Sequence, residues 1–457
     1  MGYLNFLDDW NLYSRYNFER KLGKPQYIPE ATLEDVLCEG TWDFPCVAYI
    51  EDENKYIALY IAAITPKEID TTGLDFTPKN GVICYAESKD GIHWIKTDMT
   101  DKVKLSDRRA KNQVSVSFEG SPVFYDKWTD DISARFKVIY NYNSSGINCR
   151  ALMVSPDGIN WRHSETYPKI GASDSPTSLC CDPDNGCYYM YARKFNGDRR
   201  IWVWKTTDFK EFHELGLCMH PDPMDKEMVG FYGMPTFKYE NIFFGLLWRI
   251  YCHQQIMGLA NGPIDIGLTY SYDGSHFNRT SYDPFIPRNK LGEHGGGCIY
   301  SSCMFVDKDN VIRIYSGGSK AEHFQNQNLS DAALMLHMLR LDGFMYLESI
   351  SRAATLRTKW LRFTGDRLEI NVNCPLGSIR VQIIDEKGKP IPGFTFNDCK
   401  PLQGDELFWQ PEWTGGKLSN VIDGRKRRQI DIEVVSGQIF AIRGDFEMLK
   451  SHHEKDN

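Results

Sequence analysis

A chain of 457 residues, 42% hydrophobic and 25% charged, has material for one large β domain with a smaller companion or for two or three ordinary domains. Its net charge of -8 supplies no basic field for nucleic acid, and no stretch approaches the roughly 18 apolar residues of a membrane span, so neither is an expected partner. The 13 cysteines include no CxxC pair, and the first residues lack a basic, apolar leader, so reduced thiols, no metal and a cytoplasmic location are expected.

Residues 1–30 read as an N-terminal extension packing on the domain after it, and helical periodicity is confined to its first residues and to "DAALMLHML" (Asp331 to Leu339). Between them the chain alternates two recurring pieces. One is a β-rich run: "KYIALYIAA" from Lys55, "RFKVIYNY" from Arg135, "YYMYARKF" from Tyr188, "IFFGLLWRI" from Ile242 and "VIRIYSGG" from Val311. The other is a turn: "SKDGIHW" at Ser88, "SPDGINW" at Ser155, "SYDGSHF" at Ser271, a degenerate "TTDFKEF" at Thr206, and "LRLDGFMYL" from Leu339. The runs start at intervals of 80, 53, 54 and 69 residues, which gives five units of about four strands each. The expected fold is therefore all-β, with a five-bladed β-propeller over residues 31–350. The Asp-Gly turn then joins the outer two strands of each blade: Gly takes the positive φ, Asp bonds its own backbone, and the aromatic packs between blades. A calcium loop would need several spaced oxygen ligands, which these turns lack. "CDPDNG" (Cys181 to Gly186) is expected to be a hairpin turn in the third unit. Over residues 351–450 the patterning alternates again and "DEKGKPIPG" signals a hairpin, so a C-terminal β-sandwich is expected.

In a propeller the innermost strand of each blade starts near an axial funnel, so the segments just ahead of the β-rich runs carry the candidates. These are Glu39, Trp42 and Asp43 in the first unit, Glu119 in the second and Asp174 in the third. The fourth offers Asp225, Glu227 and Tyr232, and the fifth Glu293 and His294. Each acid alone reads as a solvated strand cap. Five converging would raise one another's pKa values and could supply the acid and the base or nucleophile of glycoside hydrolysis. Arg193 and Arg249 end two of the runs and read equally as ligands for hydroxyls or an anion and as structural ion-pair partners. With Trp42, Tyr232, Glu293, His294 and His323 they complete the expected substrate-binding set.

These features together resemble the clan of glycoside hydrolase families 32, 43 and 68 and the related phosphorylase family 130. The likeness is strongest to uncharacterised family-32-like proteins, on "YGMPTF" at Tyr232 to Phe237, "RLDGF" at Arg340 to Phe344 and "GSIRV" at Gly377 to Val381. The resemblance implies one catalytic acid in each of the first three blades: Asp43 as nucleophile or base, Glu119 second and Asp174 third. Glu39 competes with Asp43, and Glu227 competes for the acid. The family-32 motifs N-D-P-N-G, R-D-P and E-C are not intact. "EHGGGC", beside His294, resembles a Gly-rich loop that would let a ligand approach the backbone.

The expected function is a glycoside hydrolase, exo-acting on a short oligosaccharide or a furanoside of the fructofuranoside kind, without a cofactor. The alternatives are a glycoside phosphorylase on the same scaffold and a non-catalytic sugar-binding propeller. The expected partner is a small carbohydrate, and homo-oligomerisation is left open.

Overall fold

The computed structural model describes residues 2–34, 44–63, 81–106, 108–116, 121–144, 147–164, 168, 170, 176–194, 199–226, 228–256, 259–323, 332–422 and 426–449. It is all-β, with three-residue 3-10 turns as the only helical elements among these residues. The chain divides into two compact units, Pro25–Leu339 and a second unit of residues 1–24 with 340–457. The expected division was 1–30, 31–350 and 351–450. The first residues instead form strands in the sheets of the second unit.

Antiparallel meanders make up the Pro25–Leu339 unit. The first runs Cys46–Ile50, Lys55–Ala63, Gly81–Ser88, Ile95–Lys96. The second runs Phe124–Tyr125, Phe136–Ser144, Ile147–Ser155, Arg162–His163. The third runs Ser178–Asp182, Cys187–Ala192, Ile201–Thr206, His213–Met219. In the fourth, Val229–Gly233 and Thr236–Tyr239 both pair with Ile242–Tyr251, which pairs with Ile264–Ser271. In the fifth, Cys298–Val306, Val311–Ser319 and Ala333–Arg340 are joined by an outer strand from far upstream, Gln26–Glu34. A parallel pairing, Ile264 with Cys298, joins the fourth and fifth.

The repeated runs are the second strands, and their composition reflects their place. A second strand is covered on both faces by neighbouring meanders, so its pattern is continuously buried, as in Val311–Ser319. An outer strand has solvent beside it, as in the exposed Ile95–Lys96 and Arg162–His163. Ala333–Arg340 is a strand and not the helix its periodicity suggested: its seven leading residues are buried bar one, so an unbroken apolar run meets two covered faces. Residues 2–24 are likewise strands, Gly2–Leu4, Leu12–Tyr16 and Glu19–Leu22.

Each Asp-Gly turn leads out of a third strand, in one geometry. Gly91, Gly158 and Gly274 have φ of 73°, 76° and 77°, and Phe209 takes the same place at 58°. Ser88 Oγ accepts from Gly91 N at 2.9 Å, and Asp90 Oδ1 accepts from Ile92 N and His93 N at 2.8 Å each. The turn of each meander packs on the second strand of the one before. A Cβ on Gly158 would lie 3.0 Å from Leu59, and Lys137 Nζ sits 5.6 Å from the Phe209 ring. Tyr191 donates to Gly274 O at 2.8 Å, and Tyr315 of the fifth meander donates to Gly91 O of the first at 2.9 Å. The contacts thus return from the fifth meander to the first. Ser302 Oγ, which donates to Pro45 O at 2.6 Å, closes the same junction on the first strands.

"RLDGF" departs from this scheme. There Asp342 itself has the positive φ, 61°, and its buried carboxylate pairs with Arg443 at 2.5 Å and accepts from Asn371 Nδ2 at 2.8 Å, all within the second unit. Three N-terminal strands are stitched into that unit: Gly2–Leu4 on Gly437–Met448, Leu12–Tyr16 on Ala354–Thr358, and Glu19–Leu22 on Met345–Ser349. Leu4, Phe6 and Leu12 of this segment share one core with Ile370, Ile383, Ile432 and Phe446. "CDPDNG" forms the turn between Ser178–Asp182 and Cys187–Ala192, and "DEKGKPIPG" turns back where Asp385 N donates to Lys389 O at 2.8 Å.

Candidate functional site

Four of the five meanders bring described side chains toward one place. Phe44 stands just ahead of the first strand of the first meander, Tyr232 lies on that of the fourth, and Tyr300 on that of the fifth. Trp248 comes from the second strand of the fourth meander and is fully buried, its Nε1 donating to Ser301 O at 2.9 Å. The Phe44 and Trp248 rings stack at 5.1 Å, and Tyr300 meets both edge-on at 5.5 and 5.3 Å. Tyr232 lies near-parallel to Trp248, 6.3 Å away. Such offset and edge-to-face pairs fix ring positions beyond what burial alone would do.

On the Tyr232 ring the cluster becomes cationic. The Arg193 guanidinium carbon sits 4.6 Å from the ring centroid and that of Arg199 5.5 Å. Arg193 follows the second strand of the third meander and Arg199 precedes its third strand. His323, just past the second strand of the fifth meander, meets Tyr232 edge-on at 4.6 Å. Its Nδ1 lies 3.2 Å from the Tyr300 hydroxyl. Burial, with the charges of Arg199 and Arg193 behind it, pushes the His323 pKa down to about 3, so the ring is neutral through the physiological range. Pro176 closes the third-to-fourth junction. A Cβ on Gly233 would stand 2.5 Å from Pro176 Cγ and 2.8 Å from Trp248, so glycine is what permits this approach.

Of the sequence-derived candidates, Arg193, Tyr232 and His323 are brought together here. Arg249 is not: its Nε donates to Asp265 Oδ1 at 2.8 Å and its Nη1 to Tyr282 O at 2.5 Å, the structural ion-pair alternative. Burial pushes the Asp265 carboxyl up, against the pull of Arg249. Glu293 is exposed in a turn, its carbonyl accepting from Gly296 N at 2.8 Å, and His294 Nε2 faces Glu34 Oε1 at 2.7 Å. Asp225 is bound to Arg279 at 2.6 Å. Glu39, Trp42, Asp43, Glu119, Asp174 and Glu227 lie outside the described residues. Phe44, Arg199, Trp248 and Tyr300 are members that sequence reasoning missed. Phe44 comes directly after "TWD", and Arg199 belongs to "GDRR", a stretch whose sequence has no strand pattern to draw notice.

Among the described residues no group of three or more His, Cys, Asp or Glu side chains could hold a metal ion, and no helix is long and apolar enough to cross a membrane. The 11 cysteines whose side chains are described are free thiols, ten of them buried.

The sequence matches no protein-family model and no curated protein. Similar solved structures do exist. One belongs to the family 130 mannoside phosphorylases, a family containing hydrolases that target β-1,2-mannosidic linkages in Candida mannan. It is 14% identical, with a TM-score of 0.41, over 71% of this chain and 94% of that one. A Bombyx mori family 32 β-fructofuranosidase is 12% identical, with a TM-score of 0.44, over 92% of this chain and 94% of that one. An N-acetylgalactosamine deacetylase from F. plautii is 12% identical, with a TM-score of 0.44, over 71% and 95%.

Proposed function

We propose that the chain is a glycoside hydrolase: a five-bladed β-propeller followed by a C-terminal β-sandwich, with its active centre where the first strands of the blades begin. One observation carries this reading. Residues from the first, third, fourth and fifth meanders converge as Phe44, Arg193, Arg199, Tyr232, Trp248, Tyr300 and His323, and the candidate acids adjoin the starts of meanders in sequence. Asp43 directly precedes Phe44, Asp174 stands two residues ahead of Pro176, and Glu227 directly precedes Met228.

In this proposal Asp43, with Glu39 as its competitor, is the nucleophile or base, and Glu119 is the second-blade acid. Asp174 or Glu227 protonates the leaving oxygen, while the opposed carboxylate attacks the anomeric carbon or activates water. Tyr232, with Arg193 and Arg199 over its ring, supplies aromatic and donor groups of the kind that line sugar sites. A funnel that receives one chain end gives exo-action on a short oligosaccharide or furanoside.

The test is a panel of aryl furanosides, aryl pyranosides and short fructans, each with and without inorganic phosphate. Turnover in phosphate-free buffer supports hydrolysis. Turnover only with phosphate replaces it by phosphorolysis, and binding without turnover by a sugar-binding propeller.

A further inference from the structure

Glu322 is an acid that the strand patterning does not single out, and it directly precedes His323 of the cluster. Both lie in the segment leaving the second strand of the fifth meander. There His323 N donates to Gly262 O at 3.1 Å, so the segment runs against the fourth meander. The third glycine of "EHGGGC" makes room for it: a Cβ on Gly297 would stand 2.7 Å from Glu322 N and closer still to Ala321 O. His253, just past the second strand of the fourth meander, reaches across, and its Nε2 lies 2.8 Å from Glu322 Oε2. A plain surface ion pair would leave both side chains in solvent, but the Glu322 side chain is 16% exposed and that of His253 62%. Two neighbourhoods tie the pair to the cluster. Burial raises the Cys252 thiol, next to His253, and the Arg199 charge opposes it; burial and the same charge lower His323, next to Glu322. Burial foremost, with Glu322 among the groups acting on it, pushes the Cys298 thiol up to about 12, and Cys298 stands two residues ahead of Tyr300 on one strand. An ionised carboxylate has about four acceptor sites, so one histidine contact leaves it capacity for sugar hydroxyls.

We propose that Glu322, held in place by His253, is a specificity-determining residue of the candidate centre and accepts a hydroxyl of the bound sugar. This rests on the carbohydrate reading above and adds to it a fifth-meander residue whose role does not depend on which of the candidate acids perform catalysis.

Calorimetric binding to the full chain tests it, using methyl glycosides of glucose, galactose, mannose and fructofuranose and, for those that bind, their monodeoxy analogues. The wild type should bind one monodeoxy analogue about 10- to 100-fold more weakly than its parent. Glu322→Ala should weaken the parent by the same factor and leave that analogue unchanged, so the discrimination disappears, with Glu322→Gln between the two. His253→Ala should lower the discrimination part of the way. Equal binding of every analogue and its parent by the wild type overturns the proposal, whatever the variants do, and leaves the carbohydrate reading standing. Undiminished discrimination in both Glu322 variants overturns it in the same way. An equal loss for the parent and all its analogues in these variants overturns it in favour of a structural ion pair. Failure of every sugar to bind overturns both readings.

Discussion

At the residue scale the buried histidines have the most measurable consequence. His323 faces Tyr300, Tyr232, Arg193 and Arg199, while His337 lies fully buried against Tyr27, ring centroids 5.4 Å apart. Burial lowers the His337 pKa to about 4, as burial and the two arginines lower that of His323 to about 3. Both folded values lie below the ordinary 6.5, so between about 4 and 6.5 the unfolded chain binds protons that the folded chain refuses. Stability should therefore fall as pH drops through this window, approaching about 1.4 kcal/mol per pH unit for each histidine. Urea unfolding at pH 5, 6 and 7 measures the slope, and His337→Gln should remove one histidine's share. An unchanged slope in that variant would contradict the burial argument. His323 was legible in the sequence only as a lone candidate. Its partners Trp248 and Tyr300 were not, because inside apolar strands they read as ordinary core. Which rings meet is a matter of how strands from different meanders register, and that is not local information.

At the scale of the element, the Ser-x-Asp-Gly turn is a strand connector whose chemistry is complete in seven residues. That is why it could be recognised without a structure. Asp157 Oδ1 accepts from Ile159 N and Asn160 N at 2.8 Å each, and Gly158 takes φ 76° with Leu59 packed against it. Asp157→Ala should cost about 1–2 kcal/mol by leaving those amides without an acceptor. Gly158→Ala should cost about 1 kcal/mol or more, since alanine resists the positive φ and its Cβ would crowd Leu59. Denaturant titration measures both losses, and turnover per folded molecule should stay the same. The same seven-residue logic misled at "RLDGF", where the tripeptide recurs but Asp342 is a buried ion-pair partner of Arg443. Its sequence signature is local, whereas its role is set by a residue about a hundred positions away. The helical reading of "DAALMLHML" failed for a related reason: in a strand buried on both faces, alternation disappears and period alone cannot decide.

On the scale of the whole molecule, the order of strands within the first four meanders was legible because each of these is contiguous in sequence. Two pairings that span nearly the full chain were not. Gln26–Glu34 completes the fifth meander beside Ala333–Arg340, and Gly2–Leu4 pairs with Gly437–Met448 in the second unit. Nothing in the composition of residues 1–30 reports a partner some 300 or more positions away, so the segment read as an extension. It carries Leu4, Phe6 and Leu12 into a shared core. Deleting residues 2–24 should therefore expose three sheet edges and lower the melting temperature of the full chain by well over 5 °C, a shift that calorimetry reads directly. An unchanged melting temperature would mean that these strands decorate the unit without supporting it.

Amide replacement decides whether the acids adjoining the starts of the meanders form one catalytic centre, as proposed. Once an aryl glycoside is turned over, kcat/KM is measured for Asp43→Asn, Glu119→Gln, Asp174→Asn and Glu227→Gln, with unfolding curves for each. At least two of these should lose roughly 10²- to 10⁴-fold in kcat/KM while remaining folded. Full activity in all four, or loss only in variants that unfold, would contradict it.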